Sequence, residues 1–314
     1  MIALTGYSGF VGQKLLESLN KKECLLLGRN NLNDDYNFCE VDLAIVHKLD
    51  LLESLKPVNT LIHMAARVHV MNEKASNPLT EFRTINTQAT LELAKQAAEA
   101  GVKRFIFLSS IKVNGEKTVN NLLFTGQDKR EPAGAYGMSK AEAEQQLIIL
   151  GKQTGMEIVI IRSPLVYGEG VKANFASLMK LVNKGLPLPF RLITHNKRSF
   201  VSVYNLIDLI RVCIKHPKAA NQLFLVSDDN DFSTAQMIAL MAKVQGKKNI
   251  ALPVPVWCFT LVGKLFNKND VVERLTGSLQ LDISHTKNTL GWTPPHSVEH
   301  GFRLAAKKNS LLDW

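Results

Sequence analysis

The sequence predicts an α/β protein: a doubly wound parallel sheet followed by a smaller C-terminal lobe. Three observations point there. Short apolar runs, among them IAL at Ile2, TLIH at Thr60 and KRFIFL at Lys103, alternate with longer amphipathic stretches, as parallel strands joined by helices do. The first run leads at once into Gly6, Gly9 and Gly12, spaced G-x-x-G-x-x-G at the opening of a helix. Beyond about residue 165 the alternation loosens into irregular, proline-punctuated segments.

Ile2 to Leu4 reads as a buried strand and Phe10 to Leu19 as the helix after it. In that setting the glycines permit a tight turn, close approach of backbone to a pyrophosphate, and close packing of helix on strand. The helix N-terminus adds unpaired N–H groups that favour phosphate. Gly6, Ser8, Gly9, Phe10, Val11 and Gly12 are therefore the candidate phosphate-binding turn. Glu23 to Leu27 is the second strand. An acid near its end would read the adenosine ribose, but the sequence there is Gly28-Arg29-Asn30. Arg29 suits a ribose 2′-phosphate instead, which favours NADP(H) over the alternative, NAD(H).

Asn37 to Val41 is the third strand, ending at Asp42-Leu43, and Val46 to Leu55 reads as a helix. Thr60 to His63 is the fourth strand, followed by Met64-Ala65-Ala66, small residues against which a cofactor can lie. Pro78 to Ala100 is a long helix closed by Gly101. Lys103 to Leu108 is the fifth strand and runs into Ser109-Ser110. A polar loop from Lys112 to Ala135 leads to a helix from Tyr136 to Gln153, and Ile158 to Ile161 is a further strand. Later come a helix at Phe175 to Asn183, a strand at Arg198 to Val203, a helix at Leu206 to Lys215 and a strand at Gln222 to Val226. Right-handed crossovers place Gly6, Arg29, His63 and Ser110 along one edge of the sheet. Residues 1–165 form the expected dinucleotide-binding domain, with elements returning from about 198–228; residues 166–314 form mainly a substrate lobe.

Composition narrows the class. With 46% hydrophobic and 21% charged residues the chain is ordinary globular protein. Cys24, Cys39, Cys213 and Cys258 show no metal-ligand spacing, and Met1 leads straight into a strand. No metal and no secretory leader are expected, and a cytoplasmic, thiol-reducing setting follows. The net charge of +10 comes from dispersed lysine pairs without interleaved aromatics. That favours anionic small molecules over nucleic acid. The apolar segment Ile250 to Phe266 is broken by Pro253 and Pro255 and interrupted by Lys264, too short to span a bilayer. It reads as a lobe helix packing its apolar face inside, with weak surface association as the alternative.

The chemistry gathers at the strand edge. Tyr136 and Lys140 lie four apart and project from one helix face, and Ser110 ends the fifth strand. A phenol with an ordinary pKa of about 10 exchanges protons poorly at neutral pH, and a neighbouring ammonium lowers that value. Lys140 is the candidate ammonium, and the Ser110 hydroxyl can polarise a carbonyl or hold a carbinol oxygen. The three describe proton transfer coupled to hydride transfer at a C–OH/C=O centre.

With TGYSGFVG at Thr5, VDL at Val41, HMAA at His63, INTQAT at Ile85, SSIKVNG at Ser109, YGMSK at Tyr136, SPLVYGEG at Ser163 and LGW at Leu290, the chain resembles the extended short-chain dehydrogenase/reductases of the nucleotide-sugar epimerase/dehydratase group over essentially its whole length. The resemblance implies a Rossmann-type sheet with Tyr136 as catalytic acid/base, Lys140 as its partner and Ser110 orienting the carbonyl. It implies Asp42 and Leu43 near the adenine and Ala65, with Ala66, beside the cofactor. Asn174 would hold the nucleotide diphosphate, with Lys112, Arg198 and Arg274 as further substrate-binding candidates. A homodimer through the helices beginning at Pro78 and Tyr136 is also implied. Dehydratases of the group carry Thr-Asp-Glu where this sequence has Ser110-Ile111-Lys112, so 4,6-dehydration is not expected. SIKVNG resembles the bacterial surface-polysaccharide enzymes that epimerise or reduce UDP-linked N-acetylhexosamines at C4. Three functions compete: reduction of a UDP-linked 4-keto-6-deoxy-N-acetylhexosamine, which Arg29 puts first; 4-epimerisation of a UDP-hexose or UDP-N-acetylhexosamine with retained NAD; and non-catalytic dinucleotide sensing on the same fold.

Overall fold

The computed structural model describes residues 1–32, 34–68, 77–119, 122–171 and 173–309, so residues 120 and 121 of the expected polar loop lie outside it. The strands are β1 (Ile2–Thr5), β2 (Cys24–Gly28), β3 (Asn37–Glu40), β4 (Thr60–His63), β5 (Arg104–Ser110), β6 (Glu157–Ser163), β7 (Leu165–Tyr167), β8 (Arg198–Ser202), β9 (Leu223–Leu225) and β10 (Asp231–Phe232). The α-helices are α1 (Phe10–Leu16), α2 (Leu52–Leu55), α3 (Pro78–Arg83), α4 (Ala89–Glu99), α5 (Gly134–Thr154), α6 (Ala173–Asn183), α7 (Val203–Lys215), α8 (Thr234–Val244), α9 (Val256–Leu265), α10 (Asn269–Thr276), α11 (Ser284–Leu290) and α12 (Val298–Asn309).

Seven strands form one sheet in the order β3-β2-β1-β4-β5-β6-β9, with every pairing parallel. This is the Rossmann-type arrangement. Both faces are covered, which explains why the strands read as unbroken apolar runs. Successive residues face opposite ways. Leu4, Leu26, Ile62 and Ile106 pack on one face with Leu15, Leu206, Ile210 and Trp292. Ala3, Leu25, Leu61 and Phe105 pack on the other with Leu93, Ala97 and Leu147. Each leucine or isoleucine among them contributes about 1.5–3 kcal/mol by leaving water. The LGW run completes the first of these layers. Gly291 takes the left-handed conformation (φ 61°) that ends α11, and Trp292 then inserts against α7, its Nε1 donating to Asp208 Oδ1 at 2.7 Å.

A second sheet of three strands, β10-β8-β7, carries its own core of Tyr167, Phe175, Met179, Phe200, Met241 and Phe302. β8 therefore belongs to this small sheet, whereas α7 and β9 join the main layers. Buried Asp228 ties the two sheets together: it accepts from the Tyr167 hydroxyl at 2.5 Å, Ser202 N at 2.9 Å and Asn205 Nδ2 at 2.6 Å.

Two segments depart from the sequence expectation. The helix expected over Val46 to Leu55 is a 3-10 stretch, Leu43–Lys48, followed by the single turn α2. Asp42 and Asp50 each accept a backbone N–H two residues on (Ala44 at 3.0 Å, Leu52 at 3.1 Å) and so start two short helical pieces rather than one. The apolar segment at Ile250 to Phe266 does not pack its apolar face inside. In α9 Trp257 is 67% exposed, Leu261 61% and Leu265 77%. The helix is held instead by a narrow inner stripe: Phe259 stacks on Phe190, and Gly263 admits α10, since a Cβ there would stand 2.6 Å from Val272. No helix among the described residues is long and apolar enough to cross a membrane.

Candidate active site

The winding of the main sheet reverses between β1 and β4, which opens a crevice at the C-terminal ends of those strands. A cleft of about 1030 Å³ occupies it, at the upper end of the usual range for ligand sites. Gly6, Ser8, Gly9, Phe10, Val11, Gly12, Arg29, Asp42, Leu43, Ala65, Ala66, Ser110, Tyr136 and Lys140 all line this one cleft.

The three glycines differ in what they permit. Gly6 has φ +70°, and a Cβ there would lie 2.5 Å from Ala65 N; a Cβ on Gly12 would lie 2.2 Å from Gly6 O. Those two are required by backbone packing. A Cβ on Gly9 would meet Gly6 O at 3.2 Å and nothing else within 4 Å. Its missing side chain leaves open space on the cleft side, at the start of α1, which is the cradle a pyrophosphate needs. The floor is held from below by His63. Its Nδ1 lies 2.7 Å from Thr5 Oγ1 and its Nε2 2.9 Å from Thr90 Oγ1, while Thr5 Oγ1 accepts from Ala65 N at 3.3 Å. Burial, reinforced by the nearby Lys140, pulls His63 down to about 3, so it is a neutral strut. The turn, the small residues after β4 and the size of the cleft fit a dinucleotide.

At the other end of the cleft, Ser110 ends β5, Tyr136 lies in the first turn of α5 and Lys140 one turn on. Ser110 is hydrogen-bonded to the Tyr136 phenol; burial nonetheless pushes that phenol up to about 12. Lys140 Nζ donates to Leu108 O at 2.9 Å and lies 4.3 Å from the centre of the Phe107 ring. Its burial lowers it to about 7 despite the opposing charge of Glu144. The expected depression by Lys140 is not what sets the direction for Tyr136 here: with the phenol out of water, desolvation outweighs the Ser110 hydrogen bond. Burial thus favours the protonated phenol at the Ser110 side of the cleft.

This burial has a thermodynamic consequence. Folding lowers the Lys140 pKa from 10.5 to about 7, so between those values the unfolded chain binds the extra proton, and stability contributed by this site rises with pH through that window. Lys140→Met removes the dependence. The melting temperature of the variant relative to wild type should climb as pH falls from about 10 to 7 and level off below 7, while turnover is lost. A flat difference across that range in thermal melts would show that Lys140 is not held as a buried base.

Of the four substrate-binding candidates none lines the cleft. Lys112 Nζ is turned to Glu116 at 3.0 Å, and Asn174 is exposed at the start of α6. Arg198 Nη1 donates to Gly277 O at 3.1 Å. Its guanidinium is held below its ordinary range by burial and by the like charge of Arg274, so these two arginines approach each other in the lobe.

Residues outside the set of site candidates hold the segments that carry Ser110 and Tyr136. Thr84–Gln88 form a π turn between α3 and α4 that points Asn86 inward. Asn86 accepts from Arg67 N at 2.8 Å and donates to Arg67 O at 3.0 Å and to Ser139 Oγ at 3.1 Å. Ser139 Oγ in turn donates to Tyr136 O at 2.8 Å. Behind Ser110, buried Glu144 accepts from Ser109 Oγ at 2.6 Å and from Arg162 Nη2 at 2.5 Å, and Arg162 Nη1 reaches Asn114 Oδ1 at 2.7 Å. Asn86 and Glu144 are both polar residues at buried helical positions.

The family model for the NAD-dependent epimerase/dehydratase family matches residues 2–226. Among curated proteins, a UDP-glucose 4-epimerase from Vibrio cholerae is 53% identical over 309 residues, covering 98% of this chain and 94% of that protein. Among solved structures, the UDP-glucuronic acid 4-epimerase of Bacillus cereus in complex with NAD superposes with a TM-score of 0.78 at 19% identity, covering 99% of both chains. RMD from Pseudomonas aeruginosa, complexed with NADPH, superposes with a TM-score of 0.75 at 20% identity, again over 99% of each.

Proposed function

The chain belongs to the NAD-dependent epimerase/dehydratase family, and from that footing we propose that it is a 4-epimerase of a UDP-linked hexose or N-acetylhexosamine that keeps its NAD through each cycle. The observation that carries this is kinship along nearly the whole chain with a UDP-glucose 4-epimerase. It reverses the order set by Arg29, which put 4-keto reduction first. Arg29 is exposed at the end of β2, on the lining of the cleft, and it is the feature that keeps an NADPH-consuming reductase as the second reading.

The dinucleotide, when bound, supplies reversible oxidation of the C4 carbinol. The rest falls to the chain. The Gly6–Gly12 turn and Ala65-Ala66 hold the cofactor along the crevice. Tyr136 would take the C4 hydroxyl proton as a phenolate, the form that the positive charge of an oxidised nicotinamide beside it would favour. It would return the proton in the second half of the cycle, while Ser110 holds the same oxygen as it changes between alcohol and carbonyl. Inverting the centre requires the sugar to present first one face and then the other, so it must be tethered at a distance. Arg198 and Arg274, whose mutual repulsion an anion would relieve, are suited to hold the diphosphate. The test is whether the protein as purified converts UDP-glucose or UDP-N-acetylglucosamine to its C4 epimer with no dinucleotide added. No epimer from either sugar, together with stoichiometric NADPH oxidation when a UDP-linked 4-keto-6-deoxy sugar is offered, would transfer the assignment to the reductase.

A further inference from the structure

The uncovered face of α9 has a composition that points to what covers it. Trp257, Leu261, Lys264 and Leu265 stand at i, i+4, i+7 and i+8 and share one side of the helix. Phe259 and Gly263 take the opposite side, against Phe190 and Val272. Leu252 before the helix and Phe266 after it are exposed as well. So many large apolar side chains on one short stretch exceed the scattered singles a soluble surface normally shows.

Charge narrows the occupant. From Lys247 to Lys268 the chain carries Lys247, Lys248, Lys264 and Lys268 and no Asp or Glu, and all four lysines are exposed. A second copy of the chain meeting this face symmetrically would set these lysines against one another. A surface of negative phosphates with hydrocarbon beneath it complements both the lysines and the apolar stripe. A tryptophan at the start of the stripe suits the headgroup boundary, and lysines reach back to phosphate along apolar stems. At ten residues the helix is about 15 Å long, a length that lies in an interface and does not cross it.

We propose that α9 seats this protein on an anionic bilayer surface, with Trp257, Leu261 and Leu265 entering the headgroup layer and Lys264 and Lys268 at the level of the phosphates. The inference is independent of which sugar the cleft accepts. Flotation of the full-length protein with phosphatidylcholine vesicles, with and without phosphatidylglycerol, tests it. The wild type should float with the phosphatidylglycerol vesicles at low salt, and should stay behind with phosphatidylcholine alone or at high salt. Each lysine near such a surface is worth about fivefold in partitioning, so Lys264→Gln with Lys268→Gln should lower it by roughly 20-fold or more. Trp257→Ser with Leu261→Ser should abolish it, with melting temperature and turnover kept, because both side chains already face water. The proposal is overturned if the wild type ignores phosphatidylglycerol vesicles, or if the Trp257/Leu261 variant floats like the wild type. It is equally overturned if the wild type stays behind while that variant halves the particle mass in solution, since the face then joins two copies of the chain.

Discussion

Tyr136→Phe is expected to lower turnover by about two to four orders of magnitude while dinucleotide binding is kept, the effect of deleting a general acid/base. The substitution isolates the hydroxyl, because the ring is positioned by contacts that Phe preserves. Phe82 meets it edge-on at 6.1 Å between centroids. Its backbone is fixed by Ser139 and by Gly137, where a Cβ would stand 2.7 Å from Lys112 O. Steady-state kcat with saturating sugar, together with the dinucleotide content per chain, measures both halves of the expectation. Near wild-type turnover would remove Tyr136 from the proton transfer.

The second large effect is on stability. Glu144 and Arg162 are both buried and paired, and Glu144 also receives Ser109 and Arg130 Nε. Deleting one partner strands the other charge in a low-dielectric interior, at a cost of about 3–5 kcal/mol. Glu144→Ala should therefore lower the melting temperature by roughly 6–15 °C, taking about 2–3 °C per kcal/mol for a chain of this size. Replacing both, Glu144→Leu with Arg162→Leu, should recover much of that, though not all, since Ser109 and Asn114 lose partners. A double variant no more stable than Glu144→Ala would mean that the pair is not what the single change breaks.

The main sheet is legible in the sequence because its strands are buried on both faces and bounded by turns, so that TLIH or KRFIFL admits few other readings. The cleft is legible because Gly6 and Gly12 answer to backbone contacts that tolerate no Cβ, and because a four-residue spacing puts Tyr136 and Lys140 on one helix face. What escapes is decided by partners far along the chain. Nothing local says that Asn86 will bridge Arg67 and Ser139, or that Glu144 will meet Arg162 on β6. The direction of the Tyr136 and Lys140 shifts escapes for the same reason: spacing shows proximity, whereas their titration is governed by burial that only the assembled layers create. The 3-10 break at Leu43–Lys48 does have a local signal in Asp42 and Asp50, two cap-forming residues eight apart. In α9 an apolar sequence is not a buried one; hydrophobicity states what a surface favours, not whether the fold covers it.

Retained-cofactor epimerisation is tested most directly with UDP-glucose carrying deuterium at C4, incubated with the purified protein and no added dinucleotide. If a resident NAD takes and returns the same hydrogen, UDP-galactose should form with its deuterium still at C4. No epimer under these conditions, together with stoichiometric NADPH oxidation when a UDP-linked 4-keto-6-deoxy sugar is offered, would contradict the epimerase assignment.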